Sequence, residues 1–212
     1  MNRFFALPLP ETIQEELGRL ADEWRSLPIG RASWYGSADY HITLKFLGNL
    51  DPSRQPELIE AALPVAANAA PFEVDLNAAP GGFPNLRQPR VLWAGVKASP
   101  PMAALAGKID EAMAALGYER ERRVYHPHIT LARPRSSPLD TPRERAPGGE
   151  GVNRGRGERT WTTPKERTFP IFTADRFVLM QTLPLEKPQT KGTIRANPRY
   201  NIVRTFPFGL AK

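Results

Sequence analysis

One tetrapeptide, His-Ile-Thr-Leu, occurs twice: His41-Ile42-Thr43-Leu44 and, 87 positions later, His128-Ile129-Thr130-Leu131. The chain holds only three histidines in 212 residues, so two of them in one repeated string is not composition at work. Polar and apolar residues alternate in the string, the period of a half-buried strand. On such a strand His41 and Thr43 share one face while Ile42 and Leu44 face a core, and the same holds for His128 and Thr130. A duplicated half-fold would then turn two imidazoles and two hydroxyls toward one cleft, an acid–base pair with a phosphate cradle.

The rest of the chain supplies parts for such a fold. Arg3–Leu9 reads as a first strand, and Glu11–Ser26 as an amphipathic helix with Ile13, Leu17, Leu20 and Trp24 on its apolar stripe. Tyr40–Leu47 is the first motif strand. Asp51 opens a second helix whose buried face is Leu58, Ile59 and Leu63. Phe72–Leu76 is a short strand, Gly81–Asn85 a loop, and Arg90–Lys97 a strand apolar on both faces. Pro100–Leu116 is a helix stopped by Gly117. Ile129–Arg133 is the second motif strand, and Arg176–Leu183 and Tyr200–Phe206 look like a pair. A helix precedes each motif strand.

Residues 134–168 break the pattern. Proline and glycine recur, Leu139, Val152 and Trp161 are the sizeable apolar residues, and seven Arg with one Lys stand against five acids. Such a stretch cannot offset its ordering entropy by burial, which predicts a mobile surface insertion, or an arm that orders on RNA. The net charge of +7 favours a polyanionic partner. Cysteine is absent, which removes disulfides and thiolate metal sites. No apolar run reaches the roughly 18 residues of a membrane span, and the first residues are too soon broken by proline for a secretory signal. The expectation is a cytoplasmic protein without membrane contact.

The candidate site residues follow from the motifs. Histidine suits both acid and base work near neutral pH, with an unperturbed pKa of about 6.5. Near-identical motifs leave open which imidazole does which. Thr43 and Thr130 are hydroxyl donors to a phosphate, or strand formers only. Arg133 is either a phosphate contact or a solvated residue at a strand exit; its parity is wrong for the His128 face of a regular strand, so a phosphate contact requires it to sit past the strand end or at a bulge. Lys45 has the parity of His41 and is a weaker candidate. His126, two residues before His128, has the spacing of a metal pair, yet Asp39 holds the corresponding place in the first motif. A loop histidine stacking on substrate suits His126 better, and Phe83 and Tyr125 are candidates for stacking on a nucleobase or for the core.

Taken together, Phe4–Pro10, His41–Gly48, Gly82–Asn85 with Pro89–Val96, and His126–Arg133 resemble the 2H phosphoesterases, and most closely the RNA 2′,3′-cyclic phosphodiesterases formerly called 2′-5′ RNA ligases. The resemblance covers residues 1–133 well and 176–206 thinly; the basic insertion departs from it. It implies an α+β bilobal fold, with two pseudo-symmetric lobes, each an antiparallel sheet flanked by helices, and the site in the central groove. The whole chain would be one domain interrupted by 134–168. It further implies no cofactor and no metal, His41 as proton donor, His128 as proton acceptor, and Thr43, Thr130 and Arg133 on the phosphate. The substrates implied are RNA ends bearing 2′,3′-cyclic phosphate, tRNA fragments among them, taken by a monomer and opened to 2′-phosphate. Ligation to 2′-5′ links in reverse is one alternative, and a non-catalytic RNA-binding protein is another.

Overall fold

The computed structural model describes residues 1–25, 32–86, 89–134, 167–184 and 199–209. Most of the 134–168 insertion lies outside the described residues. Among the described residues, ten strands and three α-helices run in the order β1 (Asn2–Pro8), α1 (Glu11–Arg25), β2 (Ala32–Trp34), β3 (His41–Asn49), α2 (Gln55–Ala67), β4 (Phe72–Val74), β5 (Pro80–Phe83), β6 (Val91–Gly95), α3 (Pro100–Ala115), β7 (His128–Pro134), β8 (Phe172–Ala174), β9 (Arg176–Thr182) and β10 (Tyr200–Pro207). Two four-stranded sheets form the lobes, in the orders β10-β9-β1-β3 and β2-β7-β6-β5. Every pairing is antiparallel, and β4 pairs with β8 in a small ribbon. This is the bilobal α+β architecture that the family resemblance implies.

The lobes exchange strands. β9 and β10, from the end of the chain, complete the sheet that carries the first motif, while β2, from its beginning, covers the edge of the sheet that carries the second. The chain therefore crosses between lobes more than once, and the core runs through both. Phe5, Leu7, Ile42 and Phe177 from the first sheet and Leu92, Ala94, Ile129 and Leu131 from the second are all buried in one cluster. Helix α1 adds Ile13, Leu17, Leu20 and Trp24, the stripe its periodicity predicts.

Two expectations need correction. Leu63 is 40% exposed; the buried side of α2 is Leu58, Ala62 and Ala66. Gly81 and Gly82 lie in strand β5 rather than in a loop. A Cβ at Gly81 would fall 2.0 Å from the Trp93 ring, so glycine here makes room for an indole crossing the neighbouring strand. At the end of α3, Gly117 takes the positive φ of a helix stop (+88°).

Candidate active site

The motif strands share one backbone design. In β3 the register passes from Ala6↔Thr43 to Phe5↔Lys45, leaving Leu44 as an extra residue. In β7 it passes from Trp93↔Thr130 to Leu92↔Ala132, leaving Leu131 extra. A bulge at the leucine of each tetrapeptide shifts the facing by one residue. Burial follows the same order in both strands: histidine half-buried, isoleucine buried, threonine half-buried, leucine and the next residue buried, the sixth exposed.

The bulge decides two candidates. Arg133 reaches the face of Thr130 and lines the cleft with it. Lys45 is turned the other way and buried. Its Nζ donates to Asp110 Oδ1 at 2.5 Å and to the Glu119 carbonyl at 2.6 Å, so the parity argument that offered it to the cleft fails. Asp110 also accepts from Arg120 Nε and from the Glu121 amide. Burial alone would raise this carboxyl, but its bonds to Lys45, the Glu121 amide and Arg120 outweigh burial and hold it below the usual carboxylate range.

Each imidazole is oriented in the same way. His41 Nδ1–H donates to the carbonyl of Asp39 at 2.7 Å, and His128 Nδ1–H to the carbonyl of His126 at 2.8 Å. A carbonyl only accepts, so Nδ1 carries the proton and Nε2 is the nitrogen left for chemistry. The surroundings differ. His41 stacks on Phe4 (4.8 Å, 28°) and meets the edge of Tyr200 (5.1 Å). Burial presses its pKa down to about 4, opposed by the Asp39 bond and assisted by the charge of His128. His128 sits against Phe83 (5.0 Å) and Trp93 (5.8 Å). Its pKa is also lowered by burial, with the charges of His126 and Arg133 adding to the effect.

A cleft of about 310 Å³ is lined by His41 and Thr43 from β3 and by Thr130 and Arg133 from β7. His128 is outside that lining, on the side of Phe83 and Trp93. Exposed His126 meets both of those rings at 6.0 and 5.1 Å. Tyr125 is not among the residues lining the cleft: its hydroxyl donates to the Thr43 carbonyl at 3.0 Å, and the residue packs on the core.

Several residues at the site escaped the sequence reading. Arg133 Nε donates to the hydroxyl of buried Tyr35 at 3.0 Å. Tyr35 in turn stacks on Tyr200 (6.0 Å, 10°) and lies 4.2 Å beneath the Arg199 guanidinium. Buried Asp39 accepts from the Arg199 amide at 2.6 Å; burial raises its pKa, against that bond. Phe4, Phe46, Asn2 and Thr182 complete the lining. Asp39 had a signal, standing two residues before His41 as His126 stands before His128. Tyr35 and Tyr200 have none locally, because folding brings them together from opposite ends of the chain.

A profile of the 2′-5′ RNA ligase superfamily matches residues 9–146, a span that holds both tetrapeptides. A Geobacillus stearothermophilus protein named RNA 2′,3′-cyclic phosphodiesterase is 31% identical over 209 residues, covering 96% of this chain. The chain spans 56% of the length of that relative. A Methanocaldococcus jannaschii protein of the same name is 31% identical over 133 residues, 63% of this chain and 71% of its own. Among solved structures, a Thermus thermophilus protein, TT0787, superposes with a TM-score of 0.69 at 23% identity, covering 99% of this chain and 98% of that one.

Proposed function

The chain belongs to the 2′-5′ RNA ligase superfamily, and from that premise we propose that it opens 2′,3′-cyclic phosphate ends of RNA to 2′-phosphates without a metal. The observation that carries the reading is the pair of imidazoles, each fixed through Nδ1 by a backbone carbonyl, beside a cleft with two threonines and an arginine. The net charge of +7 suits RNA, tRNA fragments included. One chain supplies both halves of the cleft, which supports a monomer as the working form. Among the described residues no helix is long and apolar enough to cross a membrane, and we assign the protein to the cytoplasm.

In the proposed reaction His128 Nε2 takes a proton from water as the oxygen attacks phosphorus. The bond from phosphorus to the ribose 3′-oxygen breaks on the opposite side, and His41 Nε2 delivers the proton that oxygen needs. Thr43, Thr130 and Arg133 hold the non-bridging oxygens as charge builds on them. With no phosphate bound His41 is neutral at pH 7, since burial lowers its pKa to about 4. The phosphate anion supplies the opposite charge that favours imidazolium, an effect of about 1–3 pKa units at close range. A second reading exchanges the two roles. It is favoured by the burial that presses the His41 pKa down to about 4 and so disfavours an imidazolium there.

Ligation through a 5′-hydroxyl is the same chemistry with another nucleophile, and water outcompetes it. The test is incubation in EDTA with an oligoribonucleotide ending in 2′,3′-cyclic phosphate, followed by separation of 2′- from 3′-phosphate. We expect 2′-phosphate alone, formed roughly 10²–10⁴-fold more slowly by His41→Ala. A folded protein that binds the RNA but leaves the cyclic end intact would mark a binding protein instead.

A further inference from the structure

We propose that Tyr125 is a positioning residue for the reaction: its hydroxyl sets where the approach to His128 lies against the first motif strand. The inference rests on the cyclic-phosphate reading and adds to it a residue that stays out of the cleft. His128 is aimed by the His126 carbonyl, which accepts from its Nδ1–H at 2.8 Å. The imidazole is therefore aimed only as well as that carbonyl is placed. Residues 116–127, between α3 and β7, form neither helix nor strand, and 119–124 are all exposed. Neither a backbone ladder nor side-chain burial fixes that stretch, so its place depends on individual hydrogen bonds.

Its beginning is anchored where Lys45 Nζ donates to the Glu119 carbonyl at 2.6 Å and the Glu121 amide donates to Asp110 Oδ1 at 3.1 Å. Its end is anchored by Tyr125, whose Oη donates to the Thr43 carbonyl at 3.0 Å. Burial pushes the Tyr125 pKa above the usual phenol value, so the hydroxyl keeps the proton this bond needs. Pro127 restricts the backbone of His126, so the His126 carbonyl follows Tyr125 instead of adjusting separately.

Thr43 stands two residues after His41 in β3 and itself lines the cleft. One hydroxyl thus ties the segment that aims one imidazole to the strand that carries the other. The first motif meets the same need differently. Ala38 stands there at the place of Tyr125, and Asp39, whose carbonyl aims His41, is tethered through its carboxylate to the Arg199 amide at 2.6 Å.

The test is Tyr125→Phe, which keeps the ring and removes only the hydroxyl. On 2′,3′-cyclic AMP we expect kcat to fall about 10-fold, because catalysis is sensitive to small misplacements, and KM to stay within about 2-fold. In the His128→Ala background the same change should cost less than about 2-fold, since Tyr125 acts through that imidazole. Nitrogen-15 NMR reads the aim without turnover. With both rings neutral, His128 of the variant is expected to lose its single Nδ1–H tautomer while His41 keeps its own. An unchanged kcat, an undiminished loss without His128, or both histidines moving together with a lower melting temperature would overturn the proposal. If the wild-type protein opens no cyclic phosphate, the proposed reaction falls, and the His128 spectrum of Tyr125→Phe then decides the role of Tyr125: mixed tautomers uphold it and an unchanged spectrum overturns it.

Discussion

Strands β3 and β7 carry the same four residues, the same bulge and the same carbonyl bond to Nδ1, yet they present different chemistry. β3 is the edge of its sheet, and its histidine is pressed between Phe4 and Tyr200. β7 is covered by β2, which delivers Tyr35 to Arg133, and its histidine rests against Phe83 and Trp93. After the bulge the strands diverge: Lys45 where β7 has Ala132, and Phe46 where β7 has Arg133. A short motif sets how the imidazole is presented. The residues around it set its proton affinity and what else faces the substrate.

That contrast can be broken at graded cost. His41→Ala and His128→Ala are each expected to lower kcat by roughly 10²–10⁴ with the fold retained, as turnover and far-UV spectra would report. A single variant near wild-type turnover would mean that the two strands do not act as a pair. Lys45→Met leaves the Asp110 carboxylate buried without its ammonium, and urea unfolding should register a loss of about 3 kcal/mol. Ala132→Ser, at the corresponding place in β7, strands no charge and should cost about 1–2 kcal/mol, the expense of burying one hydroxyl.

Smaller effects sharpen the comparison. Tyr35→Phe removes the acceptor that orients Arg133 Nε and should lower kcat/KM by about 3–10-fold, lost on combination with Arg133→Met. Phe4→Ala lets water reach His41. Burial disfavours the charged imidazole, so exposure must raise its pKa from about 4 toward 6.5, while His128 moves little; imidazole titration by NMR would show this. In the proposed mechanism the reactive form carries one proton between the two rings. Since burial lowers both pKa values below the usual 6.5, kcat/KM should peak below pH 6.5 and fall as the pH rises further and both rings lose their protons.

Much of this was legible from residue order. Alternation in the tetrapeptide marked the strands and their buried isoleucines, and the 3.6-residue period marked the face of α1. What escaped was set by pairing across space. A bulge has no local signature, so Lys45 read as cleft-facing although the register of β1 turns it inward. Gly81-Gly82 read as a loop because nothing nearby announces the Trp93 indole that needs the room. Tyr35 and Tyr200 meet only because the lobes exchange strands.

We propose that the identical motifs divide the labour, one imidazole as acid and one as base. The measurement that tests it most directly gives His41→Ala and His128→Ala two substrates, a 2′,3′-cyclic nucleotide and a p-nitrophenyl phosphodiester whose leaving group needs no proton. The account predicts that His41→Ala fails on the first and recovers most of its activity on the second, while His128→Ala fails on both. Recovery in His128→Ala instead would reverse the roles, and equal loss by both variants on both substrates would contradict the division of labour.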